Sequence, residues 1–182
     1  MSDLVNRCLE AFPQWLGSLG DDTVALCSLL TAESIPDRAR RHVAGSVNYV
    51  CKSLDLIPDG VEDLGYLDDA FVLRIACRLA LRDDPAARQA DIRGLLARLA
   101  HESALIEELL EAEYPRLEKY VRALEKGAAR GRLVDEIVND AGVRSEVMRE
   151  VQSWARNYSA PSFTTDEKTL IKLRSFFAAK LP

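Results

Sequence analysis

One segment limits the fold more than any other. From Leu67 to Arg82 the chain opens on Asp68 and Asp69, and is then apolar apart from a narrow stripe at Arg74, Arg78 and Arg82. A helix with so little polar circumference has to be surrounded by other elements, so it belongs at the centre of a bundle. The segments available to surround it also repeat their apolar residues at helical spacing, and no stretch sustains the two-residue alternation of a strand. The fold class that follows is all-α: an irregular multi-helix bundle built around a central helical hairpin with an acidic turn. It reads as a single helical domain over residues 1–182, with the hairpin at 34–82 and a C-terminal helical layer at 84–182.

The partner helix of the hairpin starts at Ser34-Ile35-Pro36-Asp37. Ser34 suits a cap, Pro36 suits a first turn, and Asp37 favours the positive helix end. It then repeats Ala39, Val43, Val47, Val50 and Leu54 on one face. Upstream, Ser2–Leu19 and Asp22–Leu30 read as two amphipathic helices, the first disturbed by Pro13. Downstream, Asp84-Pro85 opens a long helix carrying Ile92, Leu95, Leu96, Leu99, Ile106, Leu109 and Leu110, which Tyr114-Pro115 kinks or ends. Gly127 and Gly131 bound a short basic connection around Arg130 and Arg132. Further helices are expected at Leu133–Val138, closed near Gly142, and over Val143–Tyr158. A last one opens on Thr164 and Glu167 in capping-box spacing.

With 24 Lys and Arg against 29 Asp and Glu, the chain carries a formal net charge of −5. That balance argues against nucleic-acid binding, which depends on cations displacing counterions from phosphates. Cys8, Cys27, Cys51 and Cys77 each lie in an apolar stretch and form no C-x-x-C pair, as expected of reduced thiols in the cytoplasm. The start of the chain lacks the basic and apolar regions of a signal peptide, and no apolar run reaches the roughly 18 residues of a membrane span.

The connection between the hairpin helices concentrates chemistry. Asp55, Asp59, Asp63, Asp68 and Asp69 fall within Tyr49–Asp69, beside Glu62, with Lys52 the nearest cation in sequence. Pro58 fits the first turn of a short helix after Asp55. Gly65 can take the left-handed conformation that ends such a helix, and Asp68 or Asp69 can serve the start of the next.

The segments Asp55-Leu56-Ile57-Pro58-Asp59 and Gly65-Tyr66-Leu67-Asp68-Asp69, five residues apart, resemble the signature of the YkvA-like family, a group of bacterial helical proteins built around a domain of unknown function. Tyr49 matches an aromatic position upstream, and the resemblance covers roughly residues 45–73. This chain has Ser53 where the family tends to have Pro, and Gly60, Glu62 and Asp63 where it tends to be apolar, so the turn is more acidic. The resemblance implies a helical fold, no established reaction, and membrane association in some relatives.

Two readings of the acidic turn follow. In the structural one, Asp55, Asp59, Asp68 and Asp69, with Pro58 and Gly65, cap and shape helix ends. In the alternative, Asp55, Asp59, Asp63, Asp68 and Asp69 converge on a divalent cation, Mg²⁺ or Ca²⁺, with Asp55, Asp59 and Asp63 at i, i+4 and i+8 on one helical face; such a centre could support hydrolysis. The structural reading makes the chain a non-enzymatic scaffold or interaction protein with a protein partner and no cofactor. A second alternative is peripheral membrane contact, through Arg38, Arg40, Arg41 and His42 with Arg78 and Arg82 at the basic end of the hairpin. His101 beside Glu102 is a weak general-base candidate, and Trp15 and Trp154 read as core.

Overall fold

A computed structural model describes residues 3–51, 55–91, 94–129 and 131–182. Among them the chain is almost wholly helical: α1 (Asp3–Leu29), α2 (Asp37–Val50), α3 (Leu67–Asp83), α4 (Ala87–Ala90), α5 (Leu95–Leu110), α6 (Tyr114–Ala123), α7 (Val134–Asn139), α8 (Ala141–Asn157) and α9 (Glu167–Lys180). Helix α3 is the hub. It packs along both α2 and α5 and also meets α1, α4 and α6, and all but three of its residues are buried. The narrow polar stripe thus does place this helix in the middle. The stack of Phe71 on Phe177, 5.5 Å apart and nearly parallel, ties α3 to α9, and Phe12 of α1 meets Phe71 edge-on at 5.2 Å.

Several local expectations are corrected by packing. The N-terminal segment is one continuous helix through Pro13 and Gly20, not two. Gly20 lies within that helix facing Ala155 and Tyr158, where a Cβ would make ordinary contacts at 3.6 and 3.5 Å. Helix α2 begins after Pro36 with no side-chain cap, so Ser34 does not serve. Asp84-Pro85 leads only into the four-residue α4, and α5 starts afresh, with the Asp91 carboxylate accepting from the backbone N–H of Leu96 at 3.1 Å and Ala97 at 2.9 Å. Tyr114-Pro115 does mark a break, a single 3₁₀ turn before α6. Asp140, not Gly142, separates α7 from α8, and Asp166 rather than Thr164 caps α9. The connection at Gly127–Leu133 holds a two-residue antiparallel ladder, Ala128–Ala129 with Arg132–Leu133. Leu54, Ile92 and Arg130, which entered the sequence reading, lie outside the described residues, as does Lys52.

All four cysteines are free and buried. No described helix is long and apolar enough to cross a membrane.

Candidate functional site

The acidic turn is assembled on a hydrogen-bonded clasp. Tyr49, in the last turn of α2, donates its hydroxyl to Asp68 Oδ2 at 2.6 Å, and the same phenolic oxygen accepts from the backbone N–H of Leu56 at 3.0 Å. Asp68 Oδ2 accepts a second bond from the Ile57 N–H at 3.1 Å. One carboxylate and one phenol thereby pin the Leu56-Ile57 strand of the turn to both hairpin helices. Leu56, Ile57, Leu64 and Leu67 are buried beneath it, so the turn is anchored by apolar side chains as well.

The helix expected after Asp55 does not form. Residues 55–66 run instead as successive turns, closed by Val61 N–H to Pro58 O at 2.9 Å, Leu64 N–H to Val61 O at 3.1 Å and Gly65 N–H to Val61 O at 2.8 Å. Asp55 is half-buried with no described helix to cap, and Pro58 is exposed. Gly65 is not left-handed. The positive φ angles belong to Asp63 (67°) and Tyr66 (66°), and Gly65 is required for a different reason, the close approach of the Asp59 main chain. Tyr66 precedes α3 without capping it by its side chain.

Without a helix through the turn, Asp55, Asp59 and Asp63 share no helical face. Asp59 is exposed and accepts from the Tyr66 hydroxyl, whereas Asp63 turns toward the C-terminal segment and accepts the Thr164 N–H at 2.9 Å. Lys172 of α9 reaches the Glu62 carbonyl at 3.1 Å. Asp68 and Asp69 are both buried in the first turn of α3, at 0% and 2% exposure. Among the described residues no three His, Cys, Asp or Glu side chains form a group that could hold a metal ion. The chemistry of the donors would suit a hard cation, but Asp59 is exposed, Asp63 is taken up by the Thr164 N–H, and Asp68 and Asp69 lie in the interior.

Burial dominates the electrostatics of the pair. It pushes the Asp68 carboxyl up to about 6 against the opposing hydrogen bonds from Tyr49 and Ile57. Asp69 is raised well above the usual carboxylate range by burial first and by the neighbouring Asp68 charge second. Both therefore hold protons more tightly in the folded chain than in the unfolded one. The contribution of Asp68 to stability is complete below the unfolded value near 3.8 and is lost as pH rises through about 6, and that of Asp69 is lost in the same direction. Urea melts at pH 4.5 and 7.5 test this with Asp69→Asn, which keeps the shape but cannot ionise. Relative to the parent, the variant gains stability at the higher pH; a gap independent of pH would refute the assignment.

The basic run at the start of α2 is engaged in structural contacts. In the basic run, Arg38 pairs with Asp83 at 3.4 Å, Arg41 with Asp37 at 3.0 Å and also with Asp135, and Arg40 donates to the Ala32 carbonyl at 2.9 Å. His42 is buried with Nε2 3.0 Å from Asp83. Burial pushes the Cys8 thiol up to about 11 and Cys27 up to about 12, which leaves neither ionised as a nucleophile at neutral pH. Trp15 is in the core, and Trp154 is half-buried, 5.0 Å from Tyr158.

Sequence reasoning missed a fully buried charge on α3. Arg74 is fully enclosed, lies 4.1 Å from the Trp15 ring centroid, and donates Nε to Glu102 at 2.8 Å. Arg98 bridges the same Glu102 at 3.1 Å and Asp22 of α1. The available signal was its position on an otherwise apolar helix. No protein-family model, curated protein or solved structure matches the chain.

Proposed function

We propose that the chain is a non-enzymatic helical scaffold or interaction protein of the YkvA-like type, acting in the cytoplasm on a protein partner. The observation that carries this reading is the clasp: the signature residue Asp68 is enclosed and hydrogen-bonded to Tyr49 and Ile57, so it holds the hairpin rather than facing a substrate. The family resemblance rests on the same residues, and the clasp supplies a physical reason for a motif of that length. Four free thiols suit a reducing compartment. The basic run gives less support to membrane contact, because Arg38 and Arg41 already have carboxylate partners.

Thermal melts with and without Mg²⁺, Ca²⁺ and Mn²⁺ separate this reading from a metal centre. On the scaffold reading, Asp68→Asn lowers the melting temperature by the same amount in every condition, with a cost of about 1–3 kcal/mol for disturbing a buried hydrogen-bonded group. Exposed Asp59→Asn changes it by less, again without regard to metal. A stabilisation by one cation that both variants abolish overturns the reading, since a ligand binding only the folded state raises its stability by linkage.

A further inference from the structure

Toward the C-terminal end of α3, away from the clasp at its start, an open cleft of about 510 Å³ runs between α3, α4 and α5. Its polar lining holds three guanidinium groups and an imidazole, Arg78 and Arg82 from α3, Arg88 from α4 and His101 from α5, with no carboxylate in the wall among the described residues. Leu81, Ala97 and Ala100 supply the rest of the surface. In a chain of net charge −5, such a grouping on one concave surface runs against the overall balance.

Two of the guanidinium groups are held in place from outside the cleft. Arg82 makes a two-pronged contact with Glu118, at 3.0 and 2.9 Å, and Arg78 donates to Glu107 at 2.6 Å and to the Tyr114 hydroxyl at 3.2 Å. These contacts consume some donors and orient the remainder. Arg88 is exposed and has no ion pair among the described residues, so its full charge is available. His101 is also exposed, and its imidazole can donate in either protonation state.

We infer that this cleft binds a small phosphorylated ligand in solution, with Arg82 and Arg88 meeting the phosphoryl oxygens and Arg78 and His101 completing the donor set. Guanidinium groups pair with phosphate through parallel N–H donors, so several Arg around one concavity favour a phosphoryl group over a single-point anion. The volume falls within the roughly 300–1,000 Å³ of small-molecule sites, and the apolar patch accommodates the uncharged part of such a molecule. A concave site of this size selects a discrete ligand over an extended surface.

Calorimetry and melting of the full chain with sodium pyrophosphate, against sodium chloride at matched ionic strength, test the inference. An excess of about a hundredfold over Kd raises the melting temperature by roughly 5–10 °C. Arg88→Ala and Arg82→Gln each weaken binding about tenfold, the loss expected for one charge-assisted contact. Glu107→Gln releases Arg78 and tightens binding, an effect that mere structural damage does not produce. Vesicles of phosphatidylcholine with phosphatidic acid, the lipid source of the same chemistry, do not retain the chain. The inference is overturned by a pyrophosphate response no larger than that of chloride, by unchanged affinity in both Arg variants, or by vesicle binding without a pyrophosphate response.

Discussion

Arg74→Met lowers the stability of the protein by about 3–5 kcal/mol, the range for removing one partner of a buried ion pair. Met restores much of the volume, so the loss comes from charge. The guanidinium donates to Glu102 at 2.8 Å and to the Ala70 carbonyl at 3.0 Å, while its second terminal nitrogen lies 3.9 Å from Asp22. Burial pushes this group down to about 10 in spite of the two carboxylates, so enclosing it has a real cost that the pairing must offset. When it is removed, Asp22, itself only 5% exposed, keeps Arg98 and Ser18 but loses its compensation from the interior. Adding Asp22→Asn and Glu102→Gln to Arg74→Met therefore recovers a large part of the deficit, and Arg98, half in solvent, tolerates the change. Urea denaturation of the single and triple variants decides the matter. A single variant as stable as the parent, or a triple variant weaker than the single, contradicts this account.

That network shows where a sequence of this kind stops being legible. The helix class, the central position of α3 and the buried faces of α2 and α9 follow from apolar spacing alone, because each is a property of a few consecutive turns. Arg74 is different. On spacing it belongs with Arg78 and Arg82 as a polar stripe, yet it is enclosed between Trp15 and Asp22 of α1 and Glu102 of α5, whereas Arg78 is half-buried against Glu107 and Arg82 is exposed. Its partners Asp22 and Glu102 lie 52 and 28 residues away in sequence, beyond any local pattern. The helix starts fail for a related reason. Ser34 and Thr164 have the right chemistry for caps, but Pro36 and Asp166 occupy the capping positions, the Asp166 carboxylate accepting the Lys168 N–H. In the turn the residue types were informative and the roles were not. Asp68 is a hydrogen-bond hub through Tyr49, a contact across 19 residues, where local reasoning offers only a helix cap.

Gly65→Ala costs more than the roughly 3 kcal/mol at the upper end of ordinary overpacking. A Cβ at this position lies 2.1 Å from the Asp59 carbonyl oxygen, 2.8 Å from its carbon and 3.2 Å from the Asp59 Cα. All three are main-chain atoms, so no rotamer change relieves the contact. The Asp59 segment has little room to retreat. It is tied on one side by Ile57 N–H to Asp68 and on the other by the bonds that Leu64 and Gly65 make to Val61, with Ile57 and Leu64 fully buried. Moving it far enough to admit a methyl group strains the clasp or lifts those side chains from the core. Gly60, in the same turn, is the internal control: a Cβ there meets nothing within 4 Å. Gly60→Ala accordingly stays within about 0.5 kcal/mol of the parent, or gains slightly as the unfolded chain loses freedom. Urea midpoints for the two variants distinguish a rigid turn from a pliable one. If Gly65→Ala unfolds at the same midpoint as Gly60→Ala, the turn absorbs the methyl group without cost, and the signature does not hold the hairpin in one shape.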